Sequence, residues 1–223
     1  MDKKKIILGL TENSGNQAIK QKAFQLIGNI RWVGFSTIGI NETTPSNRIF
    51  DLNLLDDGHL YFGTAVGKPV YDELMKNPNA AVTGTTEDWL MVKLSGEVSR
   101  THSIEIMNKF YAVNPGTKAL YAKAPDAFKL FYFAKGHGEL LHLYKPNKII
   151  RFRFGFGGIA PPPNRYAINS DCNSCGACAE RCTTEAITPG DRYAIDPKHC
   201  LECGACYDTC PVNAITKYDG RGA

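Results

Sequence analysis

All eight cysteines of the 223-residue chain lie between Cys172 and Cys210, and the first 171 residues contain none. They form two runs with the same spacing, C-x2-C-x2-C-x3-C, of which the second begins at Cys200. Thiolates are preferred ligands of soft metal centres, including zinc and iron–sulfur clusters. Three cysteines at intervals of three residues suit three iron atoms of one iron–sulfur cube, and the fourth iron needs a ligand from outside that loop. The spacing therefore predicts iron–sulfur chemistry.

Zinc and disulfide bonds are the two alternative uses of these thiols. Structural zinc sites use paired C-x2-C units with four ligands per ion, so a third cysteine at the same interval in both runs is superfluous for zinc. Disulfides need an oxidising compartment. Residues 1–10 hold three lysines and an apolar stretch too short for a secretory signal, and no apolar run approaches the length of a membrane span. We therefore expect a cytoplasmic protein with reduced cysteines and no membrane contact.

The double cysteine run resembles the bacterial two-cluster ferredoxins. The likeness between its two halves extends outward, because Tyr-Ala-Ile stretches at Tyr166 and Tyr193 precede the runs and Ala-Ile-Thr stretches follow them. The resemblance implies that the fourth cysteine of each run serves the cluster of the other run. It assigns one 4Fe-4S cluster to Cys172, Cys175, Cys178 and Cys210, and the other to Cys200, Cys203, Cys206 and Cys182. The second run ends with the proline of the family, Pro211, whereas Thr183 follows the first run.

A concentration of glycine and proline in residues 155–163 separates the cysteine-rich segment from the rest of the chain. Three successive prolines favour an extended connector. The sequence thus predicts one domain over residues 1–154, a linker over residues 155–166 and a two-cluster ferredoxin domain over residues 167–223. Residues 165–223 carry six basic and eight acidic side chains, a net charge of −2 against +4 for the whole chain. The positive charge elsewhere is too dispersed for a nucleic-acid-binding protein.

The cysteine-free segment has the pattern of many strands and few helices. Helices are predicted over residues 16–28, 68–77, 101–113 and 126–134, and strands over 31–40, 48–55, 59–63, 80–85, 88–99, 137–144 and 148–154. Tight turns join most of the strands, which predicts a closed or nearly closed antiparallel barrel. The predicted fold class is α+β and mainly β: a split barrel with peripheral helices and a small C-terminal α+β ferredoxin-like domain. Each cysteine repeat is predicted as a short strand, the cysteine loop, a helical turn starting near the fourth cysteine and a second strand.

Several short motifs of the N-terminal segment follow one another in a set order. They are Arg48-Ile-Phe-Asp, Asp57-Gly-His-Leu-Tyr-Phe-Gly-Thr64, Gly67-Lys68-Pro69-Val70-Tyr71 and Asn77-Pro78-Asn79. Through these motifs residues 16–154 resemble the pyridoxamine 5′-phosphate oxidase-like split-barrel flavoproteins. The resemblance implies a homodimer that binds FMN between its two subunits, with deazaflavin F420 or haem as alternative cofactors.

The resemblance also implies where the flavin binds. A lysine at a helix start is unfavourable unless an anion such as phosphate binds there, and Lys68 stands at such a position. The implied flavin contacts are Arg48, Gly63, Thr64, Lys68, Pro69, Trp89 and Met91. In the alternative interpretation Arg48 and Lys68 are solvated, and Trp89 and Met91 pack in a dimer interface. No residue is assigned to proton transfer.

The last predicted strand of this segment has phenylalanines on one face and Arg151 and Arg153 on the other, because side chains alternate along a strand. The two arginines are expected either to be solvated or to meet the acidic cysteine-rich segment, whose net charge is opposite.

The two resemblances together predict an oxidoreductase. Iron–sulfur clusters pass single electrons and a flavin can pass pairs, so one chain holding both can convert one kind of flow into the other. The expected partners are a small-molecule electron acceptor and a redox protein such as a ferredoxin. Two alternatives are a dimeric electron carrier without a substrate of its own, and a split-barrel binding or sensor module that holds no flavin.

Overall fold

The structure, a computed structural model, describes residues 8–145 and 148–219. The chain divides into two compact units. The first comprises the residues up to Thr86, together with Met91–Leu140 and Arg153–Pro161, and the second comprises Glu87–Leu90, Leu141–Phe152 and the residues from Pro162 onward. The domain boundaries inferred from the sequence stay a prediction. Residues 1–7, which entered the argument about export, lie outside the described residues.

The elements before the cysteine runs are mainly strands. They are α1 (Asn16–Ile30), β1 (Trp32–Ile38), β2 (Pro45–Asp51), β3 (Asn53–Leu54), β4 (Leu60–Ala65), α2 (Pro69–Lys76), β5 (Asn79–Thr85), β6 (Leu90–Thr101), α3 (Ile104–Val113), α4 (Pro115–Leu120), β7 (Phe128–Lys145) and β8 (Lys148–Phe156). The strands form one sheet in the order β2-β1-β5-β6-β7-β4-β3, and β8 pairs with β7. The β1–β2, β1–β5, β3–β4, β4–β7 and β5–β6 pairs are antiparallel, as the sequence predicts.

An aromatic core holds the first unit together. The ring of Phe35 lies 4.7 Å from that of Phe62 and 6.1 Å from that of Phe133, measured between centroids. Helix α1 adds Phe24, whose ring meets that of Phe156 edge-on at 5.2 Å. All of these rings are buried. Burial of large aromatic surface in such edge-on and tilted contacts stabilises the first unit.

The helix predicted over residues 126–134 is wrong, because this segment begins the long strand β7. It pairs with β4, so that Tyr132 lies opposite Tyr61 and Leu130 opposite Gly63. The sequence Phe-Lys-Leu-Phe-Tyr-Phe is rich in aromatic residues, which fit a half-buried strand. Pairing with β4 satisfies the backbone groups of this segment and overrides its weak helical pattern. Helix α4 was not among the predicted elements.

The cysteine-rich segment contains short elements that repeat. They are β9 (Tyr166–Ile168), α5 (Ala177–Glu180), β10 (Ile187–Thr188), β11 (Ala194–Ile195), α6 (Ala205–Asp208) and β12 (Ile215–Lys217). Strand β9 pairs with β12, and β10 pairs with β11, both antiparallel. The first strand of each repeat therefore pairs with the last strand of the other repeat, which interlocks the two halves.

The helical turn of each repeat starts earlier than the sequence predicts. Helices α5 and α6 begin just before the third cysteine of each run and end before the fourth. Gly176 and Gly204 precede them in the left-handed conformation, with φ of 85° and 84°. A glycine adopts this conformation without steric cost and turns the chain directly into the helical turn. No helix in residues 8–145 or 148–219 is long and apolar enough to cross a membrane.

Candidate functional site

Two cavities lie in the second unit, and four cysteines line each of them. The first is lined by Cys172, Cys175, Cys178 and Cys210. The second is lined by Cys182, Cys200, Cys203 and Cys206. Three cysteines of one run thus meet the fourth cysteine of the other, which is the grouping that the ferredoxin resemblance implies.

The loops around both cavities share an unusual backbone. Ser174 and Glu202 occupy the same position of the two runs, and both are left-handed, with φ of 58° and 62°. The backbone N–H groups of Glu202, Ala186 and Ala214 point at sulfur, reaching the Sγ atoms of Cys200, Cys182 and Cys210 at 3.3, 3.2 and 3.2 Å. Hydrogen bonds to sulfur stabilise thiolate ligands and tune the potential of a cluster. The loops therefore suit metal-bound sulfur.

Burial changes the acidity of the cysteine thiols. It raises the pKa of Cys206 to about 11 and also raises the pKa values of Cys178 and Cys200. These thiols are protonated at neutral pH when no metal is bound, because burial disfavours the charged thiolate. A metal ion that binds them must displace their protons.

An apolar shell surrounds the cysteines. Tyr166, Ile187 and Ile215 are buried, and Ile168 and Ile195 pack against them. The expectation that these four isoleucines form the small core around the cysteines is confirmed. Such a shell limits the access of water to bound clusters, which affects both their stability and their potential.

Strand β8 contributes a buried cation to the second cysteine loop. Arg151 is only 5% exposed, and its guanidinium forms an ion pair with the carboxylate of Glu202. Its backbone N–H donates to the carbonyl of Lys198 at 2.8 Å. Arg151 was expected either to be solvated or to meet the acidic cysteine-rich segment, and the structure shows the contact with that segment. Arg153 is also largely shielded from solvent, and it contacts Glu139 at 3.8 Å.

Sequence reasoning did not single out Glu202. The available signal is a comparison of the two runs, because the position between the first two cysteines holds Glu202 in one and Ser174 in the other. A charged side chain between two predicted metal ligands is a candidate for a role in tuning the metal centre.

Four of the predicted flavin contacts lie along one strand–turn–helix segment of the first unit. Gly63 and Thr64 belong to β4, and Lys68 is the exposed residue immediately before α2, which Pro69 begins. The hydroxyl of Thr64 is buried and has no hydrogen-bond partner within the described part of the chain. Gly63 has a packing reason to lack a side chain, since a Cβ there would lie 1.9 Å from Cζ of Phe128.

Arg48 belongs to an ion-pair network instead of being solvated. Its Nη2 lies 2.7 Å from Oε2 of Glu73, and its Nη1 donates to Oγ1 of Thr37 at 2.6 Å. Thr37 also donates to Glu73 at 2.5 Å. Burial alone would raise the pKa of Glu73, but hydrogen bonds from Thr37 and Ser46 and the charge of Arg48 outweigh burial and lower this pKa. Arg48 thereby fixes helix α2 to the sheet, and its contact with a flavin stays a prediction.

The structure does not place Trp89 in the same compact unit as the other flavin candidates. Trp89 belongs to the second unit, where it is 65% exposed and left-handed, with φ of 62°. Met91 belongs to the first unit and lies partly buried on β6, opposite Thr85. Their contacts with a flavin stay predictions.

Part of the cysteine-rich segment matches a known family. Residues 193–216 match the 4Fe-4S binding domain family. A ferredoxin from Acetoanaerobium sticklandii is 56% identical over 32 residues, which are 14% of this chain and 57% of that protein. The ferredoxin resemblance is confirmed. A second ferredoxin, from Butyribacterium methylotrophicum, is 50% identical over 31 residues, so the chain spans little more than half the length of the curated relatives it matches.

The remainder of the chain matches solved structures in fold. A NimC/NimA family protein from Clostridium acetobutylicum superposes with a TM-score of 0.54 at 19% identity, covering 63% of this chain and 94% of that one. PhzG from Burkholderia lata 383, solved in complex with tetrahydrophenazine-1-carboxylic acid, gives a TM-score of 0.52 at 13% identity, covering 68% of this chain and 92% of that one. At such low identity the matches show the fold alone. The predicted split-barrel fold is confirmed.

Proposed function

We propose that this chain transfers electrons between two 4Fe-4S clusters and a flavin that reduces or oxidises a small molecule. The arrangement of cysteines supports the proposal most strongly. Each of two cavities is lined by four cysteines drawn from both runs, and residues 193–216, which contain the second run, match a 4Fe-4S binding domain. The rest of the chain has a split-barrel fold, which supplies a second and separate place for a cofactor.

The eight cysteines are the proposed cluster ligands. Cys172, Cys175, Cys178 and Cys210 would hold the first cluster, and Cys182, Cys200, Cys203 and Cys206 the second. Bound clusters supply one-electron transfer, with potentials that depend on burial, charge and hydrogen bonds to sulfur. The chain's own contribution is to bury Cys178 and Cys206 among the isoleucines and to direct backbone N–H groups at three of the sulfur atoms.

The segment from Gly63 to Pro69 is the proposed binding site for the flavin phosphate. The buried hydroxyl of Thr64 lacks a partner in the described ranges, and a phosphate oxygen is one acceptor that would satisfy it. Lys68 adds a positive charge at the start of α2, where a phosphate is favoured. The pair of Arg48 and Glu73 would act by holding α2 in place. FMN is the proposed cofactor, in a homodimer with the flavin between its subunits, as the resemblance implies.

A reaction of this kind has a simple electron balance. Reduction of an acceptor by an electron pair requires two single electrons, delivered through the clusters by a redox protein such as a ferredoxin, and protons from solvent. The reverse direction releases two single electrons. Candidate acceptors are nitroaromatics, quinones and free flavins, because each accepts electrons at an accessible flavin face.

The flavin part of the proposal can be tested by removing the charge of Lys68. Lys68→Ala is expected to weaken FMN binding about tenfold, which corresponds to about 1.4 kcal/mol. Lys76→Ala, at the opposite end of α2, is the matched control and is expected to bind FMN like the unmodified chain. Both proteins should retain their iron. Equal FMN affinity in all three proteins would exclude Lys68 from the site.

A second experiment separates an enzyme from an electron carrier. The anaerobic protein is reduced by a ferredoxin and mixed with each candidate acceptor in a stopped-flow spectrometer. An enzyme turns over at least one acceptor steadily, and the rate falls when flavin binding is weakened by Lys68→Ala. Fast exchange with ferredoxin but no turnover of any acceptor would overturn the enzyme interpretation in favour of a carrier.

A further inference from the structure

We infer that the Arg151–Glu202 ion pair sets the reduction potential of the second cluster and leaves that of the first unaffected. Arg151 acts as a positioning and tuning residue by cancelling the carboxylate carried by the second cysteine loop. The inference rests on the proposed function, because it requires clusters in the two cysteine-lined cavities.

Glu202 places a negative charge beside the second cavity. It lies between Cys200 and Cys203, and its backbone N–H donates to Sγ of Cys200 at 3.3 Å. Glu202 also lines the second cavity. Adding an electron to a cluster adds negative charge, so an uncompensated carboxylate beside that cavity disfavours reduction. Glu202 is also left-handed, a conformation that is uncommon and costly for a glutamate.

Arg151 is positioned to cancel this charge. Its side chain is 95% shielded from solvent, so the ion pair with Glu202 is weakly screened. Two further contacts hold β8 against the cysteine-rich segment: the Arg151 N–H donates to the Lys198 carbonyl, and Lys148 pairs with Glu185. Beside this loop, His199 Nδ1 lies 2.8 Å from Asp196 Oδ2.

The first cysteine loop provides an internal comparison. Ser174 occupies the position of Glu202 with almost the same φ, and its hydroxyl donates to the carbonyl of Asp191 at 3.0 Å. A neutral side chain therefore stands where the second loop has a charged pair. The two cysteine loops thus differ in the charge of the side chain between their first two cysteines.

The inference predicts shifts of opposite sign from the two halves of the pair. Arg151→Gln removes a positive charge beside the Glu202 carboxylate and should lower the potential of one cluster. Glu202→Gln removes a negative charge beside the second cavity and should raise the potential of the same cluster. In the double variant the potential of the second cluster should return close to that of the unmodified protein. Arg151→Lys keeps the positive charge, so its potential should also stay close to that of the unmodified protein.

The experiment is an EPR-monitored redox titration of the anaerobic, cluster-loaded chain. Each single variant is expected to change the ratio of reduced to oxidised second cluster about tenfold at a fixed potential, which is about 59 mV for a one-electron couple. The signal of the first cluster should not move. Ser174→Glu is the matched variant of the first loop and should lower the potential of the first cluster alone, which assigns the two signals.

Shifts of the same sign in Arg151→Gln and Glu202→Gln would overturn the inference, because a purely structural disturbance of the loop acts in that way. Equal shifts of both clusters, or no shift, would also overturn it. If Arg151→Gln fails to load its second cluster, Glu202→Gln still must raise the potential of that cluster. A chain that binds no iron would instead contradict the proposed function itself.

Discussion

Replacing Cys182 by alanine is expected to remove the cluster associated with the other cysteine run. In sequence Cys182 closes the first run, yet the structure places it in the lining of the second cavity. A 4Fe-4S cube with only three thiolates has one iron without a protein ligand and is easily lost. Iron and sulfide should fall to about half, and Cys210→Ala should remove the other cluster.

Thiol alkylation followed by peptide mapping identifies which cysteines have lost their metal. In Cys182→Ala, Cys203 should be labelled quickly because it is exposed, and Cys172 should be protected. Burial raises the pKa of Cys206 to about 11, against 9.0 for an ordinary thiol. A pKa higher by about two makes the thiolate population about a hundred times smaller at pH 8, so Cys206 should be labelled last.

Labelling of Cys172 and Cys175 in the Cys182→Ala protein, with the second run protected, would refute this reasoning. That pattern would mean that each run binds its own cluster with all four of its cysteines. Loss of both clusters at once would equally refute the independence of the two cavities. Cys210→Ala gives the mirror-image test within the same chain.

Three further substitutions address the packing and charge of the two units. Gly63→Ala should lower the free energy of unfolding by about 1–3 kcal/mol, because the new methyl would lie 1.9 Å from Cζ of Phe128. Gly67→Ala is the control: its methyl would meet no described atom within 4 Å, so its stability should not change. Urea denaturation measures the free energy of unfolding of both variants. Glu73→Gln should cost about 1.5–3 kcal/mol at neutral pH. Because the folded-state pKa of Glu73 is lowered from 4.5, this stabilisation is present above pH 4.5 and is lost as pH falls through the folded pKa. The free energies of unfolding of the variant and the unmodified protein should therefore converge in acid. A difference that stays constant with pH would contradict the ion pair of Arg48 and Glu73. Gly204→Ala should lower the free energy of unfolding by about 1–2 kcal/mol, because alanine is strained at a φ of 84°. A chelator should then remove iron from the variant faster than from the unmodified protein. An unchanged rate of iron removal would contradict this backbone strain.

The grouping of the cysteines was predictable from the sequence because their spacing is a local property. A run of cysteines at intervals of three residues favours a loop that brings three thiols together. The grouping of the fourth cysteine of each run with the other run followed from the ferredoxin resemblance. The structure adds its cause, since β9 pairs with β12 and β10 with β11, which brings the end of each run beside the start of the other.

Features that depend on pairing between distant segments were not predictable in this way. The contact of Arg151 with Glu202 joins residues far apart in sequence, and alternation along a strand could say only that Arg151 and Arg153 share a face. Residues 126–134 were assigned to a helix because local apolar spacing cannot reveal pairing with β4. The role of Gly63 likewise depends on the ring of Phe128 across the sheet.

The motif that contains Arg48 predicted the fold but not the role of this arginine. The order of motifs led to the split-barrel fold, which the structural comparisons support. The sequence did not indicate that Glu73 would pair with the arginine, because Glu73 lies on the inner face of a short helix that also carries exposed charges. The ion pair follows from the packing of α2 on the sheet.

The cofactor content of the anaerobically purified 223-residue chain is the most direct test of the proposed function. Iron, acid-labile sulfide and released flavin are measured per chain, together with zinc. The account predicts iron and sulfide in equal amounts, sufficient for two 4Fe-4S clusters, together with bound FMN. Zinc in place of iron would contradict it.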